Sequence, residues 1–482
     1  MSPAASRRTH INPGAPRRVF CNRTLNMRSI RAVGCDMDYT LIHYEVRAWE
    51  RRAYEHVRAR LIEQGLPASD MRFDAELFTR GLVLDIELGN VVKANRFGYV
   101  TRASHGTRML SHEEQRTIYA QVWVDLSEPR WVFLNTLFSI SEVCLYAQLV
   151  DRMEQGQLEE HQGYAGLYRR VRDTMNAAHL EGELKAEVAA MPERFVLLDP
   201  DLPVALLDLK HAGKLLLLVT NSEWDYTRAM MAYGFDRFLP QGMTWRDLFD
   251  IVIVQAAKPG FFEARAPLYE VVEPGGLLRP CLGAMKPGGV YYGGNARMAE
   301  EHLGLSGDEI LYVGDHVYAD VHVSSQIRRW RTALIVRELE DEITAEQAFV
   351  ASSREIDRLM AEKEALEREQ AQLRLSLQRS QLGYAKPMAG SLSDAGERLR
   401  ALRARQSELD QRIAPLAQAA GAQVNERWGP LMRAGNDKSR LARQIERYAD
   451  VYTSRVSNLM YLTPFGYLRA PRGSLPHDPT DG

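Results

Sequence analysis

Five short apolar runs constrain the fold of this 482-residue chain more than any other feature. Each run lacks polar alternation and is followed by polar residues, glycine or proline, as buried parallel strands are. Together they predict an α/β protein with a doubly wound parallel sheet. The first run begins at Ala32, and the others occupy 215–219, 251–254, 310–313 and 332–336.

The long interval between the first two runs indicates an inserted domain. About 180 residues separate them, whereas a simple βαβ unit needs only about 30. The interval is mostly helix-patterned, so we expect a mainly helical cap beside the sheet edge. The expected domains are an N-terminal extension (1–29), a core (30–45 and 200–340), the inserted cap (46–199), a C-terminal helical hairpin (341–430) and a C-terminal segment that packs back on the core (431–482).

Two carboxylates follow the first run directly. Asp36 and Asp38 lie where that strand leaves the sheet, and open α/β sheets hold ligands at this edge. Adjacent carboxylates are costly there unless a cation shares them, and a hard cation with oxygen ligands is the expected partner. The alternative is a capped turn in which either side chain accepts backbone N–H groups.

Three other runs end in residues that suit phosphate chemistry. Small hydroxyl and amide residues follow the second run, a lysine follows the third, and two carboxylates follow the fourth. Each has a structural alternative, since the lysine fits a solvated surface and the others fit turns or helix caps. Their joint order favours a single site at one sheet edge. The residues are Thr220, Asn221, Ser222, Lys258, Asp315 and Asp320.

This set, together with Asp36 and Asp38, resembles the four motifs of the haloacid dehalogenase (HAD) superfamily of phosphoryl-transfer enzymes. The chain is more closely similar to the cytosolic purine 5′-nucleotidase II-like branch of that superfamily. The resemblance implies a HAD-like Rossmannoid core. The stretches that carry the closer similarity are 18–23, 36–41, 134–138, 172–173, 179–185, 314–316, 448–450 and 458–461.

The resemblance implies Mg²⁺-dependent hydrolysis of purine nucleoside 5′-monophosphates through an aspartyl-phosphate. In that mechanism Asp36 is the nucleophile, Asp38 is the general acid and then the general base, and Lys258 adds positive charge. The implied phosphate-binding residues are Thr220, Asn221 and Ser222. The implied Mg²⁺ residues are Asp36, the backbone carbonyl of Asp38, Asp315, and Asp320, which orients a bound water or the lysine.

The cap is expected to select the substrate, because the core motifs contact only the phosphate. The resemblance implies that Phe138 stacks on a base and that basic residues contact the base or phosphate. The alternatives are cap core for Phe138 and a solvated helix face for the basic residues. The basic residues are Arg172, His179 and Lys185.

The cap also departs from the branch. Asn176 stands where the branch has Asp, Ser139 where it has Asn, and Leu180 where it has Tyr, so the preferred base stays open. Asp125 and Gln326 replace basic residues of the branch's nucleotide effector site. Allosteric activation is therefore not expected to carry over.

The composition of the chain limits the classes of binding partner that we expect. A net charge of −2 indicates no global attraction to nucleic acid, and no apolar stretch has the roughly 18 residues that a membrane span needs. The four cysteines are far apart and form no C-x-x-C pair, which fits a reducing cytoplasm. We expect a small-molecule substrate and neither a nucleic-acid nor a membrane partner. The basic segment 1–18 has no apolar core and is not interpreted as a targeting signal.

After the last apolar run the chain is rich in Glu, Arg, Gln, Leu and Ala over 345–382 and 397–420. Apolar spacings of three, four and seven predict an antiparallel helical hairpin. It either packs on another subunit, giving a homo-oligomer, or forms a self-contained surface hairpin. Two other functions stay open: a HAD phosphatase or phosphotransferase for another phosphate ester, and a coiled-coil interaction protein on a HAD scaffold.

Overall fold

The computed structural model of the chain describes residues 14–158, 163–273, 275–384 and 392–473. The chain divides into two compact units. One unit comprises the described residues up to Glu340 and from Leu431 onward, and the other comprises those from Asp341 to Pro430. Within the described residues, no helix is both long enough and apolar enough to span a bilayer.

The strands are short, and most of the longer ones carry apolar residues. In chain order they are β1 Phe20–Cys21, β2 Leu25–Asn26, β3 Ala32–Cys35, β4 His43–Tyr44, β5 Val83–Asp85, β6 Asn90–Ala94, β7 Val100–His105, β8 Arg108–Met109, β9 Trp131–Phe133, β10 Val196–Leu197, β11 Leu215–Val219, β12 Ile251–Val254, β13 Leu268–Val271, β14 Leu278–Pro280, β15 Gly289–Gly293, β16 Ile310–Gly314, β17 Arg331–Ile335, β18 Arg433–Ala434, β19 Asp437–Lys438, β20 Val451–Thr453 and β21 Tyr467–Leu468.

The α-helices range from single turns to two long helices near the C-terminus. In chain order they are α1 Val46–Glu63, α2 His112–Tyr119, α3 Ser139–Glu154, α4 Gly163–Glu181, α5 Glu183–Ala190, α6 Pro192–Phe195, α7 Asp201–His211, α8 Trp224–Phe235, α9 Gly260–Glu263, α10 Ala296–Leu303, α11 Val323–Arg328, α12 Leu339–Leu382, α13 Leu392–Gly421, α14 Arg440–Tyr448 and α15 Leu459–Leu462.

The largest sheet of the described chain has the order β1-β20-β17-β16-β3-β11-β12-β15-β13-β14. The pairs from β20 through β15 are all parallel, and antiparallel strands flank them. Strand β3 lies between β11 and β16, so the chain leaves it to one side and later returns on the other. This confirms the predicted doubly wound sheet, and all five apolar runs are strands in it.

Two further parallel strands were not predicted. In β15 only Tyr291 is buried, so the strand is not a continuous apolar run. Strand β20 has only three residues, and Asp450 before it accepts from Thr332 N at 2.8 Å. Both strands depend on neighbours that are distant in sequence, which local apolar content does not reveal.

One glycine of β3 shapes the centre of the sheet. A Cβ on Gly34 would lie 2.9 Å from the ring of Tyr312, which crosses this position from β16. That distance is closer than carbon atoms tolerate. Glycine therefore allows the Tyr312 ring to lie against β3, and its hydroxyl then reaches the carboxyl edge of the sheet.

The inserted segment contains the expected helices and also an unpredicted sheet. Helices α1, α3 and α4 contact one another, and α5 contacts α4 and α8. In the described part of the segment, an antiparallel sheet has the order β8-β7-β6-β5-β9. Its strands contain charged residues, such as Lys93 and Arg102, that interrupt the apolar alternation. Asp85 is buried because Arg130 pairs with it at 2.6 Å across 45 residues.

The second unit consists mainly of α12 and α13. Arg412 Nη2 lies 3.1 Å from Glu355 Oε1, and Arg398 Nη2 lies 2.7 Å from Glu369 Oε1. Residues later in α12 therefore pair with residues earlier in α13, so the two helices run antiparallel. Leu359, Leu402 and Leu409 are buried within the described part of this unit. The interval between the two predicted helices, 383–396, includes residues 385–391, which lie outside the described ranges.

Candidate active site

The chain turns sharply where β3 ends. Asp36 N still donates to Val313 O at 2.9 Å, so the ladder continues one residue beyond β3. Asp36 Oδ1 accepts from Met37 N at 2.7 Å, and Tyr39 has a left-handed φ of 54°. This backbone region is unfavourable for a residue with a side chain. The turn holds Asp36 and Asp38 at the carboxyl end of the central strand.

Lys258 is buried and lies among acidic partners. Its backbone N–H donates to Asn221 Oδ1 at 2.7 Å, and Asn221 Nδ2 donates to Lys258 O at 3.1 Å, so the Asn221 side chain fixes this loop. Lys258 Nζ lies 2.8 Å from Asp36 Oδ1 and 2.7 Å from Asp320 Oδ1. It also donates to the Tyr312 hydroxyl at 3.2 Å. The ammonium therefore links residues from three strand ends.

Three carboxylates converge at this edge. One oxygen each of Asp36, Asp315 and Asp320 lies within 4.8 Å of the others, and all three side chains are buried. Asp320 belongs to a π-helical turn, Val317–His322, that follows β16. A Cβ on Gly314 would lie 2.5 Å from the Asp320 carboxylate, so glycine is required for this approach. Both acidic residues that follow the fourth apolar run, Asp315 and Asp320, therefore belong to the cluster.

The charges in the cluster do not balance. Burial raises the pKa of Asp36 to about 7, although Lys258 opposes this shift. Burial also raises the pKa of Asp315 well above its usual range, and the neighbouring Asp320 and Asp36 carboxylates add to the effect. Burial lowers the pKa of Lys258, but Asp320 and Asp36 outweigh it and raise that pKa well above its ordinary value. The Lys258 ammonium therefore faces three buried carboxylates, and the Arg80 guanidinium, which lowers the pKa of Asp315, does not cancel its rise.

This donor set fits a hard divalent cation. Mg²⁺ binds carboxylate oxygens and usually takes only one or two of them, with the remaining ligands supplied by water and substrate. The side chains of Asp36, Asp315 and Asp320 supply such oxygens. Burial first, and the neighbouring carboxylates second, raise the pKa values of Asp36 and Asp315, and a bound cation would oppose both effects. The residues present therefore fit the Mg²⁺ site that the motifs predict.

Asp38 lies outside the three-carboxylate cluster and is bound by hydroxyl groups. Tyr44 donates to Asp38 Oδ1 at 2.5 Å, and Ser222 Oγ donates to Asp38 Oδ2 at 2.6 Å. Ser222 N in turn donates to Thr220 Oγ1 at 3.0 Å. The structure therefore brings Thr220 and Ser222 to the same edge as Asp38. The Asn221 side chain, by contrast, is used by the backbone of the Lys258 loop.

Lys185, a basic residue of the cap, reaches the core site. Lys185 on α5 donates to Ser222 Oγ at 3.0 Å, and its ammonium lies 5.1 Å from the centre of the Tyr226 ring. Because Ser222 also binds Asp38, a chain of hydrogen bonds runs from the cap to the predicted general acid.

The other predicted cap residues whose side chains are described are half-buried or exposed. Phe138 precedes α3 and is half-buried, with its ring packed edge-on against Tyr39 at a centroid distance of 4.6 Å. Arg172 and Asn176 are exposed on α4. The side chain of His179 lies outside the part of the chain whose side chains are described.

Comparison with known proteins identifies the family. The model of the 5′ nucleotidase family matches residues 19–480, which is nearly the whole chain. The chain belongs to the 5′-nucleotidase family. This family is the HAD-type, cytosolic 5′-nucleotidase II-like group of phosphoric monoester hydrolases, so the predicted resemblance is confirmed.

Two relatives of this 5′-nucleotidase family member are less than 30% identical to it. A 5′-nucleotidase domain-containing protein of Dictyostelium discoideum is 25% identical over 98% of this chain and 76% of its own length. Human 5′-nucleotidase domain-containing protein 2 is 29% identical over 69% of this chain, which spans 65% of the human protein. The archaeal beta-phosphoglucomutase from Pyrococcus sp. strain ST 04 is weakly similar, with a TM-score of 0.28 and 10% identity over 64% of this chain and 87% of its own.

Three tyrosines of this 5′-nucleotidase family member contact the site and were not predicted from the sequence. Tyr44 binds Asp38, Tyr226 bonds with Tyr44, and Tyr312 accepts from Lys258. All three are buried. A sequence signal exists only for Tyr44, which follows Asp38 by six residues. The others come from distant elements and resemble ordinary core aromatics.

Proposed function

We propose that this chain is a Mg²⁺-dependent 5′-nucleotidase that hydrolyses purine nucleoside 5′-monophosphates through an aspartyl-phosphate on Asp36. One observation carries the proposal: two carboxylates two residues apart occupy different environments. Asp36 contacts the buried ammonium of Lys258 at 2.8 Å, whereas in the described part of the chain Asp38 accepts side-chain hydrogen bonds from the hydroxyl groups of Tyr44 and Ser222. Such a difference suits a nucleophile and a separate proton donor.

In the first step an Asp36 carboxylate oxygen attacks the phosphorus in line. The bond between phosphorus and the 5′ oxygen breaks, and Asp38 gives its proton to that oxygen, which leaves as the nucleoside 5′-hydroxyl. Lys258 reduces the repulsion between the anionic nucleophile and the anionic phosphate. Lys185 and the groups at Thr220 and Ser222 would hold the remaining phosphate oxygens.

In the second step Asp38, now a carboxylate, takes a proton from the attacking water. The oxygen of that water bonds to phosphorus, and the bond from phosphorus to Asp36 breaks. Inorganic phosphate is released and Asp36 regains its carboxylate. Asp38 therefore serves as the general acid in the first step and as the general base in the second.

Asp36, Asp315 and Asp320 are the side chains that would hold Mg²⁺. When bound, the ion would neutralise negative charge at the phosphate and at the carboxylate cluster. The backbone carbonyl of Asp38 is the further ligand that the family motif implies.

The base is proposed to bind against the cap. Phe138 would stack on it, and Arg172, Asn176 and His179 would contact its edge or the sugar phosphate. The purine preference depends on the cap, where Asn176 replaces the acidic residue of the branch. It is therefore the part that needs a substrate panel.

The experiment is phosphate release from the four common ribonucleoside 5′-monophosphates and from sugar phosphates, with Mg²⁺ or with a chelator. A parallel reaction with added nucleoside detects transfer to an acceptor. The proposal expects Mg²⁺-dependent hydrolysis with purine nucleotides preferred. Higher activity on sugar phosphates, or full activity in excess chelator, would contradict it.

A further inference from the structure

We propose that Tyr44 is a positioning residue that fixes the Asp38 carboxyl group for protonation of the leaving oxygen, with Tyr226 holding the Tyr44 hydroxyl. The inference rests on the proposed function, because it assigns a partner to the general acid of that reaction. Family membership and the sequence motifs give no role to either tyrosine. The assignment comes from the hydrogen bonds around Asp38.

The two oxygens of Asp38 are each bound by a different hydroxyl donor. Tyr44 donates to Oδ1 at 2.5 Å and Ser222 donates to Oδ2 at 2.6 Å. A carboxyl group held at both oxygens cannot rotate about its terminal torsion without breaking one of these bonds. Each oxygen keeps a further lone-pair direction, so a proton on Asp38 still has a defined place facing the substrate.

The Tyr44 side chain is itself immobilised. It is 2% exposed, and its ring lies 4.5 Å from Trp49 and 5.2 Å from Tyr39 between ring centres. Strand β4, which contains it, pairs with β10 in antiparallel register. The hydroxyl has little freedom except rotation of its O–H bond.

That rotation is restricted by Tyr226. The two hydroxyl oxygens are 2.9 Å apart, and Tyr226 lies on α8 of the core, 182 residues further along the chain. If Tyr226 donates to the Tyr44 oxygen, the Tyr44 proton is directed to Asp38. Lys185 of the cap lies against the same Tyr226 ring, so the pair is adjacent to the proposed phosphate site.

The chemical consequence depends on the leaving group. A nucleoside 5′-oxygen needs the proton of Asp38 as its bond to phosphorus breaks, whereas p-nitrophenolate leaves as a stable anion. For both esters, kcat/KM reports the steps up to transfer of the phosphoryl group to Asp36. Misplacing Asp38 should therefore slow that transfer from nucleotides and leave transfer from p-nitrophenyl phosphate nearly unchanged.

The test is Tyr44→Phe, which keeps the ring and removes the hydroxyl. We expect kcat/KM for the best nucleotide to fall about tenfold or more and kcat/KM for p-nitrophenyl phosphate to change less than about threefold. Tyr467→Phe makes the same change at a tyrosine that is 49% exposed, and should alter neither. An equal loss on both esters, or no loss on the nucleotide, would overturn the proposal.

A second variant keeps the proposal testable if Tyr44→Phe does not fold. Tyr226→Phe leaves Tyr44 in place but removes the group that orients its hydroxyl. It should lower nucleotide kcat/KM by about threefold with p-nitrophenyl phosphate unchanged, and absence of this selectivity would contradict the proposal. Wild-type protein that hydrolyses neither ester would instead refute the proposed function, so the two failures are distinguishable.

Discussion

The core edge and the cap face of the proposed site are constructed differently. At the core edge, four charged residues are at most 9% exposed: Asp36, Asp315, Asp320 and Lys258. Lys258 pairs with Asp36 and Asp320, and one oxygen of Asp315 lies within 4.8 Å of an oxygen of each of these two carboxylates. On the cap, Arg172 and Asn176 are exposed on α4. Only Lys185 among the described cap residues predicted to bind substrate donates to a core side chain.

This difference suggests a division of tasks under the proposed function: the core edge carries out the phosphate chemistry, and the cap selects the substrate. Buried charges that bind one another are costly to move or replace singly, so the core is fixed for one type of reaction. Exposed polar residues are replaced at little cost in stability. Under the proposed function, the cap is therefore the region where base recognition can change, and Asn176 is the position at which this chain departs from the branch.

The largest expected effect concerns the core nucleophile. Asp36→Asn replaces the attacking carboxylate by an amide of nearly the same shape, so hydrolysis of every phosphate ester should fall by more than about a hundredfold. Circular dichroism should show an unchanged fold. Asp225→Asn, at an aspartate whose side chain is 72% exposed, is the matched control and should retain activity. Retention of more than about one hundredth of the wild-type rate by Asp36→Asn would exclude the covalent mechanism.

The next prediction concerns the metal site, where one variant should bind Mg²⁺ more weakly but be more stable than wild type without the ion. Asp315→Asn removes one oxygen ligand and should weaken Mg²⁺ binding about ten- to a hundredfold, measured by calorimetric titration. In chelator the same variant should melt at a higher temperature than wild type, because one of three mutually repelling buried charges is gone.

The exposed Asp208→Asn on α7 serves as control for both measurements. Equal Mg²⁺ affinity in wild type and Asp315→Asn would place the metal elsewhere and remove the distinction between core and cap.

The third prediction concerns base recognition by the cap. Asn176→Asp introduces an acceptor for the ring N–H of 6-oxopurines and should shift relative kcat/KM toward those nucleotides by about tenfold or more. Phe138→Ala should weaken all nucleoside monophosphates alike, because stacking tolerates any base. Asn436→Asp, at an exposed position between β18 and β19, controls for added charge. An unchanged ranking in Asn176→Asp would mean that the base is read by other residues.

The smallest expected effect concerns a buried carboxyl group in the cap. Burial raises the pKa of Glu50 to about 8, although Ser141 N donates to its Oε2 at 2.8 Å. The folded protein therefore keeps this proton while the unfolded chain, with a pKa near 4.5, loses it. Glu50 thus contributes stability below pH 4.5 that is lost as pH rises to about 8.

Glu50→Gln should remove this loss. At pH 9 its free energy of unfolding should exceed that of wild type by about 1 kcal/mol, with no gain at pH 4, measured by urea unfolding. Glu63→Gln, exposed on the same helix, should show no such dependence on pH. A pH-independent difference for Glu50→Gln would mean that its carboxyl group is not forced into the neutral form.

The sequence predicts five strands of the central sheet because they are buried on both faces and almost continuously apolar, whereas β15 and β20 are not. It does not predict the cap sheet, where Lys93 and Arg102 interrupt the pattern and Arg130 allows Asp85 to be buried. Those strands depend on partners that only the fold supplies.

For the site, the order of motifs after successive strands brings Asp36, Lys258, Asp315 and Asp320 together, because parallel strands share one carboxyl edge. The hydroxyl network is a different case. Tyr226 and Tyr44 are 182 residues apart, and nothing in either local sequence indicates that their hydroxyl groups meet.

The central claim is that phosphate is transferred to Asp36, and chemical trapping tests it most directly. Enzyme quenched during turnover with Mg²⁺ and a nucleoside monophosphate is treated with borohydride, which reduces an aspartyl-phosphate to homoserine, and the peptides are sequenced by mass spectrometry. The account predicts homoserine at position 36 in wild type and none in Asp36→Asn. Homoserine at another aspartate, or none in a wild-type enzyme that is turning over, would contradict it.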